Sequence, residues 1–145
     1  MEGNAEKIYQ LLEKFHKLKQ NKKTSGDLPR SGFIMLKKIR MNSSENEGVT
    51  ISALSELLQI SKSAVSQMIN YLENKGYVNR IITRSDRRLV YVMLTESGEQ
   101  YLNKEAQYFM QGMAQIFAEM GKEDTEELLR LLEKLYLIVI HRSKQ

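Results

Sequence analysis

The sequence predicts a mainly α fold carrying one small β-hairpin, and three observations support this. Apolar residues recur at helical spacing through most of the 145 residues. One segment departs from that spacing: "YVNRIIT" and "LVYVML" read as β-strands, and the residues between them include Arg84, Arg87 and Arg88. Residues that start and stop helices also fall at the ends of the periodic stretches. At this length, with 41% apolar and 28% charged residues, the chain can bury a core as a single domain.

Residues 4–20 place Ile8, Leu11, Leu12, Phe15 and Leu18 on one stripe of a first helix. "NKKTSGD" breaks it, and Asp27 is placed to cap a second helix with Leu28 and Pro29 in its first turn, running to about Met41. "NSSENEG" is a loop. A short helix from Thr50 to Leu58 has Ile51, Leu54, Leu57 and Leu58 as its apolar face. After a break at Gln59 and Ile60, Ser61 suits the cap of a helix over 62–75, which Gly76 ends. The hairpin runs to Leu94. Thr95 then caps a helix of about 25 residues that Gly121 closes, and a last helix spans about Glu123 to His141, with acids in a first turn that the helix dipole favours.

That last helix carries Leu128, Leu129, Leu131, Leu132, Leu135 and the run "YLIVI", apolar on more than one side. A helix apolar all round must be buried all round. The two terminal helices are therefore expected to pack against their copies in a symmetric homodimer, with a monomeric bundle as the plainer alternative. Met35, Met41, Met93, Met110 and Met113 suit either an adaptable pocket or core filling, and methionine at helical spacing is more often filler.

Composition excludes several classes of function. With no cysteine, there is no disulfide, thiolate catalyst, thiol redox switch or cysteine-ligated metal. The polar, acidic start "MEGNAEKIYQ" is not a signal peptide, and "LYLIVI" is far too short to span a bilayer. A cytoplasmic protein without a membrane partner is expected. The two histidines, His16 and His141, lie near opposite ends, and no phosphate loop, nucleophile triad or metal-ligand spacing appears. No catalytic residue, metal or cofactor is expected.

The net charge of +4 is unevenly distributed. From Gln59 to Val92, six basic residues face only Glu73 and Asp86, so this stretch alone carries +4 and suits a polyanionic partner. It contains two short helices joined by a tight break, a helix-turn-helix. On the second helix Val65, Met68, Ile69 and Leu72 form the buried face. Opposite them, Ser63, Ser66, Gln67 and Asn70 form a stripe of uncharged polar residues, with Lys62 at the helix start. A solvated face usually carries Glu and Lys. Ser, Gln and Asn instead match base edges in a major groove: Gln67 or Asn70 suits an adenine, and Lys62 a phosphate or guanine. The hairpin that follows is a wing. Arginines at its tip suit phosphates or a narrow minor groove, and Asp86 makes sense as the partner that orders one of them.

Residues 49–102, "VTISALSELLQISKSAVSQMINYLENKGYVNRIITRSDRRLVYVMLTESGEQYL", resemble the winged helix-turn-helix of MarR-type transcription regulators. The likeness is specific at the wing, where Asp, Arg-Arg, an alternating strand and Leu-Thr-Glu-x-Gly follow the family pattern. It implies a single MarR-like domain over 1–145, with dimerisation helices at about 1–22 and 123–145. The winged helix-turn-helix would lie at about 28–94, and a long connecting helix at about 95–121. It further implies a dimer with one recognition helix in each of two successive major grooves of an inverted-repeat operator in double-stranded DNA. Ser61, Lys62, Ser63, Ser66 and Gln67 match the family's DNA-facing positions. Arg84 and Arg87 match its wing-tip contacts, and Asp86 with Arg88 matches the pair that shapes the wing. Many members repress transcription until a small-molecule effector binds; no effector residue is assigned. The chain departs from the pattern at Gln59, where glycine is common, at Ser55, where alanine is common, and at Ala64, where a hydroxyl residue is common. The competing reading is a winged helix that meets protein and not DNA, but such modules usually lose the basic wing and fill the recognition stripe with apolar or acidic residues.

Overall fold

The computed structural model describes residues 2–21, 26–44, 47–82 and 89–144. Among these the order is α1 (Glu2–Asn21), α2 (Arg30–Asn42), β1 (Val49–Thr50), α3 (Ile51–Leu58), α4 (Lys62–Asn74), β2 (Val78–Ile82), β3 (Val90–Leu94), α5 (Glu96–Met120) and α6 (Lys122–Ser143). The chain divides into two compact units, residues 1–105 and 106–145.

In the first unit the hairpin gains a strand that the sequence reading lacked. The sheet order is β1-β3-β2, antiparallel throughout, with Val49 opposite Val92 and Val78 opposite Leu94. A two-residue strand is too short for alternation to reveal it; β1 exists because β3 offers it a free edge. Gly48 permits the approach. Its φ is 74°, and a Cβ there would collide with the Val92 carbonyl.

The core lies between this sheet and the short helices. Leu36 and Ile39 of α2, Leu54 of α3, and Val65, Ile69 and Leu72 of α4 are fully buried, with Val78 and Val92 from the sheet. Met35 belongs to the same core at 2% exposure and acts as core filling. Leu57, expected on the apolar face of α3, is exposed.

Most helix ends follow from local chemistry. Thr50 Oγ1 accepts the Ala53 N–H at 3.1 Å and caps α3, which begins one residue later than expected. At the end of α4, Gly76 (φ 82°) donates its N–H to the Glu73 carbonyl, and Tyr77 donates to Leu72, a Schellman closure. Thr95 joins three elements. Its N–H donates to the Tyr77 carbonyl, its hydroxyl donates to the Gly76 carbonyl at 2.5 Å, and its Oγ1 accepts the Gly98 N–H at the start of α5.

Asp27 does not cap α2. The helix starts at Arg30 with Pro29 in the cap position and no side-chain cap. The Asp27 carboxylate is instead held by Lys75 at 2.9 Å, with the Tyr77 hydroxyl donating to it at 3.4 Å. A charged partner outcompetes backbone amides for a carboxylate.

Helices α1 and α6 differ from this core in exposure. Every described side chain of α1 is exposed, including Phe15 at 65%. In the second unit, Gly121 (φ 95°) turns α5 into α6, and Thr125 Oγ1 closes the turn by donating to the Phe117 and Gly121 carbonyls. Glu123 and Asp124 occupy the first turn of α6. No described residue of α6 is buried; Leu132 and Leu135 are each 53% exposed.

Candidate nucleic-acid interface

Helix α3, the turn at Gln59 and Ile60, and α4 form the helix-turn-helix. Gln59 sits in the left-handed region at φ 55°, which explains why glycine is common there. Its side chain offsets the strain by donating from Nε2 to the Glu56 carbonyl at 2.8 Å. Ser55 Oγ donates to the Ile60 carbonyl across the same turn at 2.5 Å. Two of the three departures from the family pattern thus act together, closing the turn with side-chain bonds.

Ser61 caps α4, its Oγ accepting the Ala64 N–H at 3.0 Å. From that start the helical repeat directs Val65, Ile69 and Leu72 into the core. The expected recognition residues fall on the other side. Ser61, Lys62, Ser63, Gln67 and Asn70 are exposed and Ser66 is half-buried, so the fold brings these six together along one helix. Arg84, Asp86, Arg87 and Arg88, the expected wing contacts and wing-shaping pair, lie outside the described residues. The strands that carry the wing are paired to its base, with Ile82 opposite Val90.

Sequence reasoning counted Arg80 only as a charge. In the structure it extends from β2 along one edge of the recognition stripe, with its side chain 27% exposed. Nη2 donates to the Asn70 Oδ1 and to the Ser66 carbonyl at 3.4 Å. Nε lies 3.8 Å from Glu73 Oε1, and the Arg80 N–H donates to Glu73 Oε2 at 3.3 Å. Ser66, Asn70 and Glu73 are spaced i, i+4, i+7 and so share a face. That spacing was the available signal, but the partner lies on another element.

At the far end of α4, Lys75 and Asp27 shift one another. The Lys75 ammonium holds the Asp27 carboxyl below the usual carboxylate range, and Asp27 raises Lys75 in turn. Tyr77 beside them is raised, first by burial and then by the Asp27 charge. Among the described residues no cluster of metal-ligating side chains occurs, and no helix is long and apolar enough to cross a membrane.

The MarR family model matches residues 43–89, the segment from the β1 approach to the wing. An uncharacterised HTH-type transcriptional regulator of Bacillus subtilis, YwaE, is 35% identical over 82 residues, covering 57% of this chain and 48% of YwaE. The chain spans about half the length of the curated relatives it matches. Among solved structures, the transcriptional regulator Tm0710 of Thermotoga maritima superposes with a TM-score of 0.66 at 27% identity, covering 80% of this chain and 79% of that one. A mutant MarR from E. coli complexed with operator DNA is similar in fold, with a TM-score of 0.59 at 24% identity over 90% of this chain and 91% of that one. The helix-turn-helix and the three-stranded sheet thus lie in a segment that matches the MarR family model, within a fold similar to those of solved transcriptional regulators.

Proposed function

We propose that this protein is a sequence-specific, double-stranded DNA-binding transcription regulator of the cytoplasm, a regulator and not an enzyme. The reading is carried by the uncharged polar stripe of α4, exposed at Ser63, Gln67 and Asn70 and half-buried at Ser66, on a helix that buries Val65, Ile69 and Leu72. In this reading Gln67, Asn70, Ser63 and Ser66 meet base edges, and Lys62 and Ser61 meet backbone at the helix start. Arg84 and Arg87 neutralise phosphate from the wing, and Asp86 with Arg88 shapes it.

The functional species is a homodimer, a single MarR-like domain per protomer, joined through the helices at about 1–22 and 123–145. Support comes from the apolar faces of α1 and α6, which the single chain leaves exposed. A dimer covering a promoter blocks polymerase without further surfaces, so repression is the proposed sign. Release by a small-molecule effector is proposed as its control. The likeness to MarR, whose structure holds operator DNA, agrees with this reading.

The test is a selection from randomised duplex DNA at roughly physiological salt. An inverted repeat with half-sites about 10 base pairs apart is expected, with affinity falling steeply as salt rises. Failure to enrich any motif would overturn the reading in favour of a winged helix that meets protein.

A further inference from the structure

We infer that Arg80 is a specificity-positioning residue that fixes the Asn70 amide so that Asn70 reads guanine and not adenine. The inference rests on the DNA-binding reading above. An arginine only donates hydrogen bonds, so the Asn70 atom that meets it must be the carbonyl oxygen. With Oδ1 drawn toward β2, the amide presents Nδ2 outward, a group that only donates. A free asparagine matches adenine by accepting from N6 and donating to N7; one held by its oxygen keeps only the donor half. Guanine offers two acceptors, N7 and O6, on the same edge.

Arg80 is itself held. Glu73 flanks its Nε and accepts its backbone N–H, and the Ser66 carbonyl takes a second bond from Nη2. These partners lie on α4 one turn before and nearly one turn after Asn70, so the guanidinium has little freedom to release the amide. Gln67, on the same stripe, has no described bond of this kind and retains both halves of its amide for an adenine.

The experiment is the duplex selection run in parallel on wild type, Arg80→Met, Asn70→Ala and Asn70→Asp. Circular dichroism and thermal midpoints confirm that each variant is folded. Methionine keeps the apolar stem and removes every donor. The base column that Asn70→Ala flattens identifies the position Asn70 reads, and wild type should show guanine there. Arg80→Met should lose that preference by about tenfold or admit adenine, leaving the other columns intact. Should that variant fold poorly, Asn70→Asp is the independent arm. It keeps the Arg80 bond but turns an acceptor outward, so the column should move to cytosine, whose N4 donates.

Several outcomes overturn the inference. One is adenine at the Asn70 column in wild type. Others are an unchanged column in Arg80→Met and a guanine preference that persists in Asn70→Asp. An Arg80→Met effect that weakens all sequences alike and lowers the salt dependence by about one unit would make Arg80 a phosphate contact instead. If wild type enriches nothing, the DNA-binding reading fails and this inference falls with it; enrichment with an unchanged column removes only this inference.

Discussion

The helices around the sheet and the helices at the chain ends use the same kinds of residue to different ends. In α2, α3 and α4 Leu36, Ile39, Leu54, Val65, Ile69 and Leu72 reach zero exposure within one chain. In α6, leucines of the same size stay about half exposed, and α1 does the same with Ile8, Leu12 and Phe15. Fully burying such a side chain stabilises by about 2 kcal/mol relative to leaving it in water. The sheet region realises that gain alone, whereas the terminal helices realise it only against another surface. The helix-turn-helix region thus holds its own shape, whereas α1 and α6 leave large apolar side chains uncovered within the single chain, as the proposed dimer requires.

The strongest way to break this contrast is Leu132→Asp with Leu135→Asp. The pair should abolish the dimer in analytical ultracentrifugation and weaken operator binding by roughly a hundredfold, because buried unpaired charges are strongly disfavoured. A well-folded monomer that bound as tightly would refute the symmetric-dimer mechanism. Next comes Gly98→Ala, aimed at the self-sufficient region. A Cβ at Gly98 would collide with the Tyr77 backbone carbonyl, so denaturant unfolding should show a loss of about 2 kcal/mol. A neutral result would mean that the α5 start can shift freely.

Arg84→Ala with Arg87→Ala tests whether the wing serves binding and not folding. DNA affinity should fall about tenfold or more while dimer and helical content persist. The smallest effect is expected for Asp27→Asn. Asp27 has a lowered pKa through Lys75, so its contribution to stability is present above the ordinary carboxylate value of 3.8 and is lost as pH falls through the depressed folded value. Lys75 is raised from 10.5, so its share is present below that value and is lost only as pH rises past the raised one. An acid titration of thermal midpoint should therefore drop less steeply below about pH 4 in Asp27→Asn than in wild type, and neutral-pH stability should change only slightly because the pair is solvent-screened. Identical acid limbs would mean that the pair contributes nothing.

What was legible in the sequence was local. Ser61, Gly76 and Thr95 act within four residues of themselves or through a backbone conformation, so their roles could be read from the chain alone. The buried face of α4 was also legible, because periodicity alone dictates it. Asp27 misled because the lysine that claims it is 48 residues away. Likewise β1 was invisible because its pairing with β3 comes from across the fold. Within the candidate site, the stripe from Ser61 to Asn70 could be laid out from helical spacing. That Asn70 is already engaged could not, since Arg80 reaches it from β2.

Thr95 has a consequence for how the molecule opens. Its three bonds tie the end of α4, the entry to β2 and the first turn of α5 into one knot. Native-state hydrogen exchange should therefore find the amides of Tyr77, Thr95 and Gly98 exchanging through a single cooperative opening, despite their separation in sequence. A displacement of the first turn of α5 would therefore act on the end of α4 through that knot, without needing to propagate through the sheet.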